Sequence, residues 1–286
     1  MIEKRIIINS PDNMWHAEIC ACRGANIEKL LYNGENVLNP LKSERQWEEN
    51  PFICGSPLLF PANRTAGGRF SFGGKDYHLP ITDEKSNVNL HGSLYCQTFS
   101  VKEITSNSVV LQFENNGEIY PFDFSLTVEY TLENGGLTQS FIIKNCGKTD
   151  MPYTFALHTT FYEPDHFSVP ISLAEEKDAR HIPTGRYIPL SEDEALYAYG
   201  IDPRGRAISG YYKANGNTAV VGKYSYTVSD QFDHFVLYNG GKNNGYLCIE
   251  PQVGAVDGLN ITGGCRVIPA GKKDVLHVHI RTALKA

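Results

Sequence analysis

The chain has 286 residues, a formal net charge of −6 and no block of lysines or arginines, so it lacks the positive field that holds a polyanionic backbone and nucleic acid is not expected as a partner. A hydrophobic share of 41% with 20% charged residues is that of a globular protein with a sizeable core, far from disordered or fibrous compositions. The seven cysteines (Cys20, Cys22, Cys54, Cys96, Cys146, Cys248, Cys265) are odd in number and lack C-x-x-C spacing, which points to thiols in a reducing cytoplasm and away from a disulfide framework or a zinc site.

At the N-terminus the apolar run Ile6 to Ile8 is too short for the core of a signal peptide. No later segment approaches the length of a membrane helix, so no membrane partner is expected. From there the dominant pattern is period-two alternation broken by Gly/Asn turns, the mark of strands with one buried face. Hairpins are predicted over 26–38 around Asn33-Gly34, 69–79 around Gly73-Gly74, and 97–113 around Ser106-Asn107-Ser108. The clearest alternates through Phe122, Phe124, Leu126, Val128, Tyr130 and Leu132, turns at Glu-Asn-Gly-Gly, and returns through Leu137, Gln139, Phe141 and Ile143. Single strands are predicted over 153–161, 219–228, 235–238, 246–250 and 275–282, and short helices only over 43–49 and 173–180.

Strand after strand at short intervals predicts an all-β chain, a large antiparallel β-sandwich or barrel. No repeat, low-complexity tract or linker marks a boundary, and such folds reach this size as one unit, so a single domain over 1–286 is expected.

Four segments stand out for chemistry: 61–70 (PANRTAGGRF), 89–92 (NLHG), 156–161 (ALHTTF) and 249–252 (IEPQ). His158 lies where an apolar strand gives way to Thr159-Thr160, a point where a lone histidine is more often hydrogen-bonded structure than catalyst. Glu250 follows the apolar run from Tyr246 and precedes Pro251, which cannot donate to a sheet ladder. A carboxylate there is costly unless used or paired, so a chemical role and an ion pair with an arginine such as Arg64 stand equal. His91 before Gly92, and Arg64 before Gly67-Gly68, read alone as loop residues. His277 and His279 share a strand face without a third ligand, so no metal centre is expected.

In order and spacing, however, these segments together resemble the galactose mutarotase or aldose 1-epimerase family. A stretch like PxxNRxxxGxFxxxGxxYxLP is closely matched by PANRTAGGRFSFGGKDYHLP over 61–80, with one residue in place of two between Pro61 and Asn63. It is followed by Leu90-His91-Gly92, by His158-Thr159-Thr160-Phe161, by Asp233-His234 before an apolar strand, and by Glu250-Pro251-Gln252 with Asp257-Gly258-Leu259-Asn260 downstream. The resemblance runs from about Ala25 to the C-terminus. It implies the supersandwich of galactose mutarotase-like proteins and an enzyme, an isomerase that interconverts the anomers of an aldose. Carried over by position, Glu250 is the general base and His158 the general acid. Arg64, with Asn63 beside it, and His91 would hold the ring-oxygen side of the sugar, and Asp233 a hydroxyl.

Ring opening removes a proton from the C1 hydroxyl and adds one to the ring oxygen, so a carboxylate and an imidazole flanking the hemiacetal suffice, with no cofactor. The context of His158 resembles that of hexose-6-phosphate mutarotases, which keeps a phosphorylated sugar open as substrate, with Arg69, Lys75 or Arg204 as phosphate partners. A non-catalytic carbohydrate-binding protein on the same fold is a third reading. Trp47 is expected at the rim of the sugar site.

Overall fold

The computed structural model describes residues 5–283; residues 1–4 and 284–286, the two ends of the domain expected over 1–286, lie outside the described residues. Alternation shapes the long hairpin. In Asp123–Glu133 the buried positions are Phe124, Leu126, Val128, Tyr130 and Leu132, and the strand pairs with Gly136–Asn145 from Phe124 opposite Asn145 to Glu133 opposite Gly136. The hairpins around Asn33-Gly34, Gly73-Gly74 and Ser106-Asn107-Ser108 form as expected.

Two eight-stranded antiparallel sheets carry the fold. The first runs Ser100–Ile104, Ser108–Asn116, Asp123–Glu133, Gly136–Asn145, Lys273–Thr282, Tyr224–Val228, Thr218–Val221 and Phe167–Ser168. The second runs Pro183–Pro189, Ile171–Lys177, Ser209–Ala214, His234–Tyr238, Tyr246–Val253, Phe155–Leu157 and Leu58–Leu59, with Thr160–Tyr162 also on Tyr246–Val253. A four-stranded sheet starts with Arg5–Asn9 and Trp15–Cys20. The large sheets meet through aromatic rings: Phe141 packs on Phe155 with centroids 5.3 Å apart, and Tyr226 on Phe161 at 5.2 Å. One apolar core contains residues from Ile6 to Ile280, and the architecture is the all-β antiparallel sandwich that the alternation predicted.

Three local expectations differ, and one helix was not expected. Residues 173–180, expected as a short helix, lie largely in the strand Ile171–Lys177, held between Pro183–Pro189 and Ser209–Ala214; pairing on both sides overrides the helical preference of its Ala-Glu-Glu-Lys stretch. Residues 219–228, expected as one strand, fold back at Gly222-Lys223 into Thr218–Val221 and Tyr224–Val228. Residues 153–161 break into separate strands. A helix that was not expected, Glu192–Tyr199, is announced by a capping box in which Ser191 and Glu194 satisfy each other's backbone N–H groups. The helix expected over 43–49 forms as Glu44–Glu49 with Ser43 as its N-cap.

Candidate active site

The central strand of the second sheet, Tyr246–Val253, is buried along its whole length, which is why it reads as a continuous apolar run. Leu247, Ile249 and Val253 enter the core, so alternation puts Cys248, Glu250 and Gln252 on the opposite face. Its neighbour is interrupted: Phe155–Leu157 ends, His158 and Thr159 leave the ladder, and Thr160–Tyr162 resumes pairing on Cys248. The Ile249 amide donates to Thr159 O at 2.9 Å. Position 251 faces the same way two residues on, so the donor that Pro251 lacks falls at the gap. The register continues unshifted across the gap, from Ala156 opposite Gln252 to Thr160 opposite Cys248, so His158 falls opposite Glu250, with Nε2 3.3 Å from Oε1. Thr159 anchors it, its hydroxyl 2.7 Å from both Ser56 Oγ and Tyr226 OH.

The other wall is the short ladder of Arg64–Ala66 on Val88–Leu90. Asn63 and His91 flank it at positive φ, 56° and 66°, and the His91 amide donates to Asn63 O at 2.6 Å. Gly92 follows at φ 60°, where a Cβ would stand 2.0 Å from Phe60 O, so only glycine lets the chain pass and aim His91 inward. Asp257, from the motif downstream of Glu250, accepts from the Ala66 amide at 2.9 Å and from Asn260 Nδ2 at 2.8 Å, tying this ladder to the second sheet.

Asn63, Arg64, His91, His158 and Glu250 line one open cavity of about 270 Å³, together with Asn50, Phe52, His181, Tyr211 and Tyr238. Arg64 Nη1 donates to Asn63 Oδ1 at 2.9 Å and to Tyr211 OH at 2.6 Å. Phe52 packs on both imidazoles, with centroids 4.5 Å from His91 and 5.6 Å from His158. Arg64 Nε, His91 Nδ1 and His158 Nδ1 are buried and bond to no protein group. Buried polar atoms are normally satisfied, and these three belong to residues that line the cavity.

Burial sets the proton affinities. It pushes the Glu250 carboxyl up to about 8, against the pull of Arg64, and the His158 imidazole down to about 4. The pair therefore holds one proton across the neutral range, and loss of solvation favours the uncharged arrangement with that proton on Glu250. His91 is held well below the usual histidine range, by burial first and then by His158 and Arg64. No Arg64–Glu250 ion pair occurs among the described residues, because the guanidinium is taken up by Asn63 and Tyr211. The one group of three or more His, Cys, Asp or Glu side chains that converges closely enough to hold a metal, among the described residues, is His158, Cys248 and Glu250, whose ligand atoms lie within 4.8 Å of one another.

Asp233 is not in this cavity. Although burial opposes it, hydrogen bonds hold its carboxylate well below the ordinary range: His234 Nδ1, Lys213 Nζ and the Gly254 amide all meet it at 2.9 Å. With its oxygens spent on the protein, and placed in a separate surface depression with Phe232 and Asn217, it does not meet the other five candidates. Trp47 also lies off the cavity, stacked under Arg23 and near Tyr95; Phe52 stands where a rim aromatic was expected. Sequence reasoning passed over Tyr211 and His181. Nothing in the alternating strand Ser209–Ala214 distinguishes a tyrosine that holds an arginine from one that packs.

A family model described as aldose 1-epimerase matches residues 16–280. Among curated proteins, the galactose mutarotase of Rattus norvegicus is 31% identical over 169 residues, 54% of this chain and 47% of that protein. The uncharacterised protein YihR of Escherichia coli K12 is 31% identical over 147 residues, 50% and 46% of the two chains. The chain thus spans about half the length of the curated relatives it matches. Among solved structures, a galactose mutarotase-like protein from Clostridium acetobutylicum superposes with a TM-score of 0.87 at 21% identity, covering 97% of this chain and 94% of that one. A galactose 1-epimerase from Lactobacillus acidophilus does so with 0.74 at 16% identity, covering 98% of each. These two likenesses speak to the fold.

Proposed function

The chain belongs to the aldose 1-epimerase family, and from that premise we propose that it is a sugar mutarotase that opens and recloses the hemiacetal ring of an aldose. The observation that carries the reading is the contact of His158 and Glu250, 3.3 Å apart on one cavity. The C1 hydroxyl and the ring oxygen are bonded to the same carbon, so the groups that serve them have to be neighbours. About 270 Å³ is at the small end of ligand cavities, as a monosaccharide requires.

In the forward direction Glu250 takes the proton of the C1 hydroxyl while His158 delivers one to the ring oxygen, giving the open aldehyde. Rotation about C1–C2 presents the other carbonyl face, and closure runs with the roles exchanged. This uses the charged arrangement of the shared proton, carboxylate and imidazolium. Arg64 draws Glu250 toward it, and hydrogen bonds from the bound sugar to the carboxylate draw it further. Asn63, Arg64 and His91, which line the cavity, hold the ring in place.

A free aldose is the favoured substrate, because Arg69, Lys75 and Arg204, the cations considered for a 6-phosphate, do not line the cavity, and Arg204 is engaged by Asp202. No helix among the described residues is long and apolar enough to cross a membrane. The cysteines form no disulfide among the described residues. Rates of anomer exchange on a hexose and on its 6-phosphate test the substrate. Faster exchange of the phosphate would overturn the preference for a free sugar.

A further inference from the structure

Cys248 plays no part in proton transfer, yet it sits two residues before Glu250 on the same face of its strand, fully buried, with its sulfur 3.4 Å from Thr160 Oγ1. Its Sγ, one carboxylate oxygen of Glu250 and one ring nitrogen of His158 all lie within 4.8 Å of one another. For three atoms so spaced there is a point no further than about 2.8 Å from each, so zinc bond lengths of about 2.0–2.3 Å need side-chain shifts of well under 1 Å. The His158 Nε2 to Glu250 Oε1 separation of 3.3 Å already equals the N···O edge of a tetrahedral zinc site, about 3.3–3.4 Å from those bond lengths.

We propose that His158, Cys248 and Glu250 form a latent site for a borderline-soft divalent cation, Zn²⁺ above all, whose occupation switches the active site off. One thiolate and one carboxylate neutralise the double charge in a desolvated place, and the donor set of nitrogen, sulfur and oxygen suits zinc rather than Mg²⁺ or Ca²⁺, which prefer oxygen. The three side chains leave a fourth position for water or a sugar hydroxyl. On binding, the Cys248 thiol and, where protonated, the Glu250 carboxyl release their protons to solvent as the metal bonds form, so affinity rises with pH. The lone pairs that would move protons at the sugar are then held by the metal. The binding stands on the geometry alone; the switch rests on the mutarotase reading.

The test titrates the full chain, freed of metal by a chelator, with Zn²⁺ by calorimetry and with Co²⁺ by absorption, alongside Cys248→Ser and Cys248→Ala. The expected result is one ion per chain, a sulfur-to-cobalt charge-transfer band, and loss of both the band and about 10²-fold or more of affinity in either variant. The variants also distinguish this site from Cys20 and Cys22, whose sulfurs lie 3.1 Å apart. Zn²⁺ should stop anomer exchange in the native chain, a chelator should restore it, and Cys248→Ser should turn over normally and resist the metal. Absence of the band, or equal binding by the variants, overturns the site. Full turnover with the ion bound overturns the switch. In a chain without mutarotase activity the cobalt titration still decides the site, while the switch falls with the activity.

Discussion

Replacing Glu250 by glutamine keeps the shape of the side chain and removes its ionisation, and the consequence for stability follows from its burial. The carboxyl is pushed from an ordinary 4.5 to about 8, so between those values the native state binds a proton that the unfolded chain has released. The sign is therefore negative: through that window the group costs the fold more as pH rises. The cost comes to about 1.4 kcal/mol per pH unit, and about 3 kcal/mol at pH 7. His158, pushed down to about 4 chiefly by burial, acts with the opposite sign between its folded and unfolded values, and E250Q leaves that burial in place, so the difference between the two proteins is carried by residue 250. Thermal unfolding of E250Q and the native chain at pH 5, 6, 7 and 8 should give nearly equal Tm at pH 5 and a gap in favour of E250Q that widens by roughly 3 °C per pH unit. A gap that stays flat, or that favours the native chain at pH 8, would refute the reasoning, because it would mean that the empty site already holds the carboxylate–imidazolium arrangement and that burial does not decide where the proton sits.

The pH–rate profile follows from the same pair. The proposed mechanism requires one proton between the two groups, so kcat/KM should fall below about 4, when His158 takes a second proton, and above about 8, when Glu250 loses the last; a profile flat through pH 9 contradicts this. Tyr211→Phe removes the 2.6 Å bond to Arg64, and a hydrogen bond to a charged group is worth about 1.5–3 kcal/mol. Sugar turnover should drop about 10- to 100-fold in kcat/KM with little change in Tm, and an unchanged kcat/KM would remove the tyrosine from the site. Gly92→Ala puts a Cβ 2.0 Å from Phe60 O and should sharply lower Tm and yield, while wild-type melting would contradict the close approach.

The strands were legible because period-two alternation is a local signal, and the hairpin from Phe122 to Ile143 needed nothing else. Residues 173–180 were misread because their helical preference is local, whereas the two neighbours that make a strand of Ile171–Lys177 are supplied by distant sequence. The five residues that line the cavity were legible by their motifs, and Asp257 and Thr159 turn out to be the hydrogen-bonding struts that explain why those motifs extend beyond the reacting groups. Asp233 could not be placed from sequence, since the pairing with Lys213, His234 and the Gly254 amide that turns it away from the cavity is tertiary. Cys248 was counted only as one thiol among seven. Its position behind Glu250 follows from the strand period, but its nearness to His158 depends on the register in which a distant strand pairs with its own.

The central claim is that Glu250 and His158 exchange protons with one sugar ring. Anomer exchange of freshly dissolved α-glucose and α-galactose, followed by polarimetry or NMR with the native chain and with E250Q, tests it most directly. The native chain should speed the approach to anomeric equilibrium, and E250Q should lose about 10²-fold or more of that rate. An unaccelerated rate across several aldoses, or full activity in E250Q, would contradict it.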